Sequence, residues 1–176
     1  MRRSLLAGLV LVLFAVLGAP AWADPPGDVD ATCEITCTVG QIMEWASNFD
    51  QIDLGTISTR NATPEGSESV YLYTNGNVDI IADNTGTAQL SGGSGDTLVT
   101  EYKLEYDSDG STNTGGSTVD YSTHDSFLDS ASTVTHVAGD GAVQVTLGVK
   151  AMNETENVAD AGAYSATQTL TASWGS

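Results

Sequence analysis

Positive charge is what this sequence most lacks. Five Lys and Arg stand against 23 Asp and Glu, a formal net charge of −18 at pH 7. Two of the five, Arg2 and Arg3, fall in an N-terminal stretch with the marks of a cleaved secretory signal. The scattered cations that remain, Arg60, Lys103 and Lys150, cannot neutralise a phosphate backbone, so nucleic acid is excluded as a partner. Nor can they hold an anionic membrane surface. Cysteine is scarce as well: Cys33 and Cys37 are the only two, and no further ligands stand near them at zinc spacing. Beyond the N-terminal stretch no apolar run reaches the length of about 20 residues that a spanning helix needs, so no transmembrane segment is expected in the mature chain. Metal-binding His pairs, a nucleophile elbow and a Gly-rich phosphate loop are all missing. Ser122, His124, Asp125 and Ser126 adjoin, with His136 further on. Adjacency in sequence, however, does not hold a nucleophile, base and orienter together in space. An enzyme is not expected.

What is present begins with that signal: two arginines, an apolar run over 5–17, and Ala21-Trp22-Ala23 with small residues at the positions a signal peptidase reads. Removal of 1–23 leaves three basic residues against all 23 acidic ones, a mature net charge of −20. Residues 24–31 read as a flexible Pro/Gly leader, and 32–176 as one domain long enough to bury a core. The product is expected outside the cell or at its surface, passing through the periplasm where there is one.

The pattern of the domain is all-β. Apolar residues recur at period two among Thr, Val and Tyr, with turn residues between. Residues 32–39 alternate, with Cys33, Ile35, Cys37 and Val39 on one face. A turn of helix is the most that 41–47 suggest, and a short strand is expected at 52–57 and a loop at 60–67. Residues 69–74 and 78–82 flank Asn75-Gly76-Asn77, a hairpin-type turn. In 97–106, Leu98, Tyr102, Leu104 and Tyr106 share a face, opposite Glu101, Lys103 and Glu105. Short strands are expected at 119–121 and 132–137. Val143, Val145, Leu147, Val149 and Ala151 alternate in the clearest strand, and 163–174 read as one closing strand. The expectation is an Ig-like two-sheet β-sandwich of about seven to nine strands.

Three groups of residues stand out as candidate sites. Asp107, Asp109 and Asn113 space oxygen ligands around Gly110 in a polar tip, in the manner of a calcium loop, though the terminal Glu and flanking helices of an EF-hand are absent. Cys33 and Cys37 face an oxidising compartment. Four residues apart in a flat strand they stand about 13 Å apart, against the limit of about 7 Å for a disulfide. The readings are therefore a bent segment bridged locally, bonds to another chain, or free thiols. Trp45, Tyr71, Tyr73, Tyr121 and Trp174 are the candidates for a sugar-binding platform, or else core and cross-strand aromatics. Asn61-Ala62-Thr63 and Asn153-Glu154-Thr155 fit the glycosylation sequon.

The late segment Ala161-Gly162-Ala163-Tyr164-Ser165-Ala166-Thr167-Gln168-Thr169-Leu170-Thr171 resembles the closing strand of secreted bacterial pilin-like domains, the spore-coat-protein-U-like and fimbrial groups among them. Cys37 leading to Leu54-Gly55-Thr56-Ile57, and the stretch from Val70 to Asn77, resemble their early and middle strands. Leu54 replaces an aromatic, and there is no second cysteine pair. The resemblance implies a structural protein: a subunit or decoration of an extracellular fibre or surface layer. Its partners would be itself or related subunits, joined by strand exchange, with residues 32–39 as the donated strand or else a strand of their own sheet. The alternative is a secreted module binding glycans or calcium. Exported material should begin at Asp24; intact mass of the secreted product checks this, and a product retaining 1–23 contradicts it.

Overall fold

The computed structural model describes residues 27, 30–107, 117–136, 139, 141–153 and 158–175, with backbone alone at 107 and 117. The expected signal peptide lies outside these residues. The chain divides into two units, Met1–Thr38 and Val39–Ser176. In the first, residues 30–38 form neither strand nor helix and are exposed throughout. The expected strand over 32–39 is therefore not formed: its alternation is real, but no neighbour pairs with it.

The second unit is all-β, a sandwich with ten strands among the described residues, slightly more than expected because several are short. They are β1 (Met43–Trp45), β2 (Glu65–Thr74), β3 (Val78–Ala82), β4 (Ser91–Gly92), β5 (Val99–Asp107), β6 (Ser117–Thr123), β7 (Ser132–Val134), β8 (Ala142–Met152), β9 (Tyr164–Ser165) and β10 (Leu170–Trp174). One sheet runs β1-β2-β8-β5-β6, a second β10-β3-β7, and β4 and β9 pair alone. Every strand pairing is antiparallel.

Period-two patterning dictates the long strands. In β8, Val143, Val145, Leu147, Val149 and Ala151 are buried, and in β5 so are Tyr102, Leu104 and Tyr106. The two strands lie side by side, with Leu104 opposite Leu147 and Tyr106 opposite Val145. Val78 and Ile80 of β3 and Val134 of β7 meet this face in one core with Leu72. Truncation of a fully buried leucine such as Leu104 costs about 2–5 kcal/mol by the usual cavity argument.

Three local expectations change. The turn at 75–77 is no hairpin: β2 pairs with β1 and β8, whereas β3 pairs with β10 and β7. The chain crosses between layers there because Leu72 and Thr74 before the turn, and Val78 and Ile80 after it, are all buried from opposite sides. Residues 43–45 pair with β2 as a strand instead of coiling. The closing strand is split: β9 joins β4, residues 166–169 are unpaired as strand, and only β10 joins β3. Smaller shifts occur at the element ends, with β2 beginning at Glu65 inside the expected loop and no strand at 52–57.

Two tyrosines of β5 cross the core and fasten to the far side. The Tyr106 hydroxyl donates to Thr133 O of β7 at 2.7 Å, and the Tyr102 hydroxyl donates to Ala88 O at 2.7 Å. Burial pushes the Tyr102 phenol up to about 12. The native state thus keeps a proton that the unfolded chain gives up near pH 10, so stability falls as pH rises from 10 towards 12. Tyr102→Phe should lose about 1–3 kcal/mol at neutral pH, because the buried Ala88 carbonyl loses its donor. The variant should also flatten the fall in stability above pH 10; denaturant titrations at pH 8 and pH 11 check both effects.

Candidate functional site

The second layer is too short for the first. β8 has 11 residues and β3 has 5, so the inner face around Leu147, Val149, Ala151, Tyr102 and Leu98 extends past the strands that would cover it. Two segments outside the two larger sheets flank that end, the second of them containing β9, and between them lies a groove of about 940 Å³. Residues 49–60 line one side, 158–168 the other, and Leu90, Leu98, Tyr102, Leu147, Val149 and Ala151 the apolar floor.

The first wall is seated on the core by side-chain packing. Phe49 packs on Trp45, ring centroids 6.0 Å apart, and Phe49, Ile52 and Leu54 are half-buried against the core. Ile52 lies over Gly66 of β2, where an added Cβ would come within 2.7 Å of Ile52 Cγ2. Alternation of Ile52 and Leu54 does mark an extended segment that turns one face inward. Among the described residues its backbone enters no sheet, and over 47–58 the only backbone N–H that is satisfied within the chain is Gly55 N, donating to Asp53 Oδ1 at 2.8 Å.

The second wall is fastened on its outer side. The backbone N–H of Thr85 and then the hydroxyls of Thr85 and Thr87 hold the Asp83 carboxyl below the usual carboxylate range. That turn offers Thr87 O to Thr167 N at 2.8 Å. Tyr164 pairs with Gly92 of β4, where a Cβ would lie 2.9 Å from the Tyr164 ring, so a larger residue would displace that ring. Asp96 Oδ2 accepts from Asp160 N at 2.8 Å. Among the described residues β9 has β4 as its one strand neighbour, which leaves its other edge unpaired. Beside it Gln168 uses its amide oxygen to accept from Thr169 N at 2.9 Å, while its buried Nε2 has no partner. A groove with an apolar floor, unpaired backbone on both sides and a spare amide donor has the chemistry of a site for one more strand.

The residues singled out from sequence are not gathered here. Asp107 ends β5, and Asp109 and Asn113 lie outside the described residues. Cys33 and Cys37 are exposed free thiols, not bonded to each other. Each Sγ reaches only a neighbouring carbonyl, Glu34 O at 3.6 Å and Thr38 O at 3.9 Å. Thr123, Asp125 and Ser126 close a turn, with Thr123 Oγ1 at 2.5 Å from Asp125 Oδ1 and 2.9 Å from Ser126 Oγ. The Thr123 hydroxyl holds the Asp125 carboxyl below its usual range, and the hydroxyls serve the turn. Asn61 is exposed, while Asn153 Oδ1 accepts from Ala159 N at 2.9 Å.

The aromatic candidates separate. Trp45 and Trp174 pack against the core. Tyr71 and Tyr73 stack on the outer face of the five-stranded sheet, centroids 6.4 Å apart and planes 14° apart. Tyr121 lies elsewhere on that face, with Lys150 Nζ 4.6 Å from its ring centroid. Its hydroxyl sits over Gly148 and donates to Glu65 at 3.4 Å.

The walls of the groove were missed in sequence. Alternation at 52–57 and 163–174 was the only signal, and it reads the same whether a strand is paired or waiting for a partner.

No family model matches the chain, and no curated protein matches it. Among solved structures the chain is similar to one from work described as the structure of a chaperone-usher pilus, at 15% identity and a TM-score of 0.39, over 87% of this chain and 99% of that one.

Proposed function

We propose that this chain is an exported subunit of an extracellular fibre or surface layer, which assembles when residues 32–39 of one copy enter the groove of the next. The observation that carries the reading is the groove itself, an apolar floor between two backbone edges left unpaired. The same chain supplies a segment of matching chemistry. Cys33, Ile35, Cys37 and Val39 alternate, Ile35 is 88% exposed and Val39 73%.

Magnitudes say how such a joint must work. Burying Ile35 and Val39 stabilises by about 1.5–3 kcal/mol each, which falls at or below the cost of about 4–15 kcal/mol for associating two molecules. Backbone hydrogen bonds along both edges, about 0.5–1.5 kcal/mol each, supply the remainder. The joint therefore needs most of the segment's length. Copies carrying −20 also repel, so salt should speed assembly.

Deletion of 24–39 tests the reading. The truncated chain should stay folded, since 30–38 enter no sheet, cease to polymerise, and bind a synthetic peptide of residues 30–40. Intact mature protein that stays monomeric across concentration and salt contradicts it.

A second reading rests on Tyr71 and Tyr73. Two nearly parallel rings, the outer one 44% exposed, sit on one sheet face near Ser69, Gln144 and Thr146, which are cross-strand partners of β2 and β8. Such a face suits the ring faces of a neutral polysaccharide, with hydroxyl and amide groups beside it. On this reading Tyr73→Ala should abolish retardation in affinity gels containing a neutral β-glucan without changing thermal stability by more than about 1 kcal/mol. Equal mobility of the parent protein with and without the glucan removes it.

A further inference from the structure

Strand donation, if the proposal above holds, sets a covalent condition on the donated segment. Cys33 and Cys37 are exposed free thiols, and among the described residues each Sγ donates only to the adjacent residue's carbonyl. In an extended strand both side chains fall on the face of Ile35 and Val39, the face that must enter the groove. Their Cα atoms then stand about 13 Å apart, far beyond the limit of about 7 Å for a disulfide. A single helical turn brings residues four apart to Cβ separations of about 5–6 Å, and a tighter bend closes this to the roughly 3.5–4.5 Å at which a disulfide forms. The bridged segment and the inserted segment are thus mutually exclusive conformations of the same residues.

We infer that Cys33 and Cys37 form a thiol switch on assembly: the dithiol segment extends and is donated, whereas the Cys33–Cys37 disulfide closes it into a loop that cannot enter. The oxidant is a small-molecule disulfide such as oxidised glutathione. One cysteine thiolate attacks it, forming a mixed disulfide and releasing one glutathione thiolate. The second cysteine thiolate attacks the Sγ of the first and displaces the other. One S–S bond forms in the protein, one is lost from the oxidant, and the two cysteine protons pass to the two released thiols. The linkage is reciprocal: because oxidation opposes insertion, insertion opposes oxidation, and thiols buried in an assembled groove resist the same oxidant.

The test uses the full mature chain. Monomer treated with oxidised glutathione is purified as the species two hydrogens lighter by intact mass, and its polymerisation is followed by light scattering beside reduced monomer. The oxidised form should polymerise more slowly by about tenfold or more, and added reductant should restore the rate. A variant carrying Cys33→Ser and Cys37→Ser should polymerise at the reduced protein's rate under both conditions. Equal rates for oxidised and reduced parent overturn the switch while leaving strand donation standing, as does oxidation that yields only disulfides between chains. If the reduced protein and the serine variant both remain monomeric, strand donation itself fails and the switch falls with it.

Discussion

The structure depends on an unequal match between its two layers. β5 and β8 present an unbroken inner face from Val143 and Tyr106 to Ala151 and Leu98, and water must be kept from all of it. The sheet of β10, β3 and β7 covers one part, with Val78, Ile80 and Val134 in the common core. Tyr106 and Tyr102 tie that face to the opposite side through Thr133 and Ala88. Past the end of β3 the only cover among the described residues comes from two segments that do not pair with each other. Their fastening is one-sided, by packing over Gly66 on one wall and by Thr87, Gly92 and Asp96 on the other. The groove is what remains.

Electrostatics constrain the rest. Lys103 and Lys150 both lie on the outer face of the five-stranded sheet, paired with Glu105 and Glu101. The Glu105 carboxylate holds the Lys103 ammonium above its usual range. Such half-exposed pairs contribute little stability, and both lie away from the groove, whose first wall carries Arg60.

How much of this was legible in sequence follows from what period-two alternation encodes. It reports which side of an extended segment faces a core. β5 and β8 were therefore readable from Leu98 to Tyr106 and from Val143 to Ala151, because their burial follows from their own side chains. Alternation does not report a hydrogen-bonding neighbour. The same pattern at Cys33 to Val39 belongs to an unpaired segment, and that at Ile52 and Leu54 to a wall. The run from Tyr164 to Trp174 serves two different sheets. Asn75-Gly76-Asn77 marked a reversal correctly, but a turn's residues do not say whether the next strand pairs with the last one or crosses to the opposite layer. The groove was illegible for the same reason: it is a gap in the cover of the inner face, and only the register of the strands around it exposes that gap.

In the proposed assembly the edges of this groove and the segment 32–39 are partners between copies. Amide hydrogen exchange on monomer and on assembled protein tests it most directly. The account predicts that backbone amides at 33–39, at 49–58 and along the free edge of β9 exchange quickly in the monomer and become protected together on assembly. Protection confined to other sheet edges, such as β6 or β7, with these three segments still exchanging quickly, would contradict it.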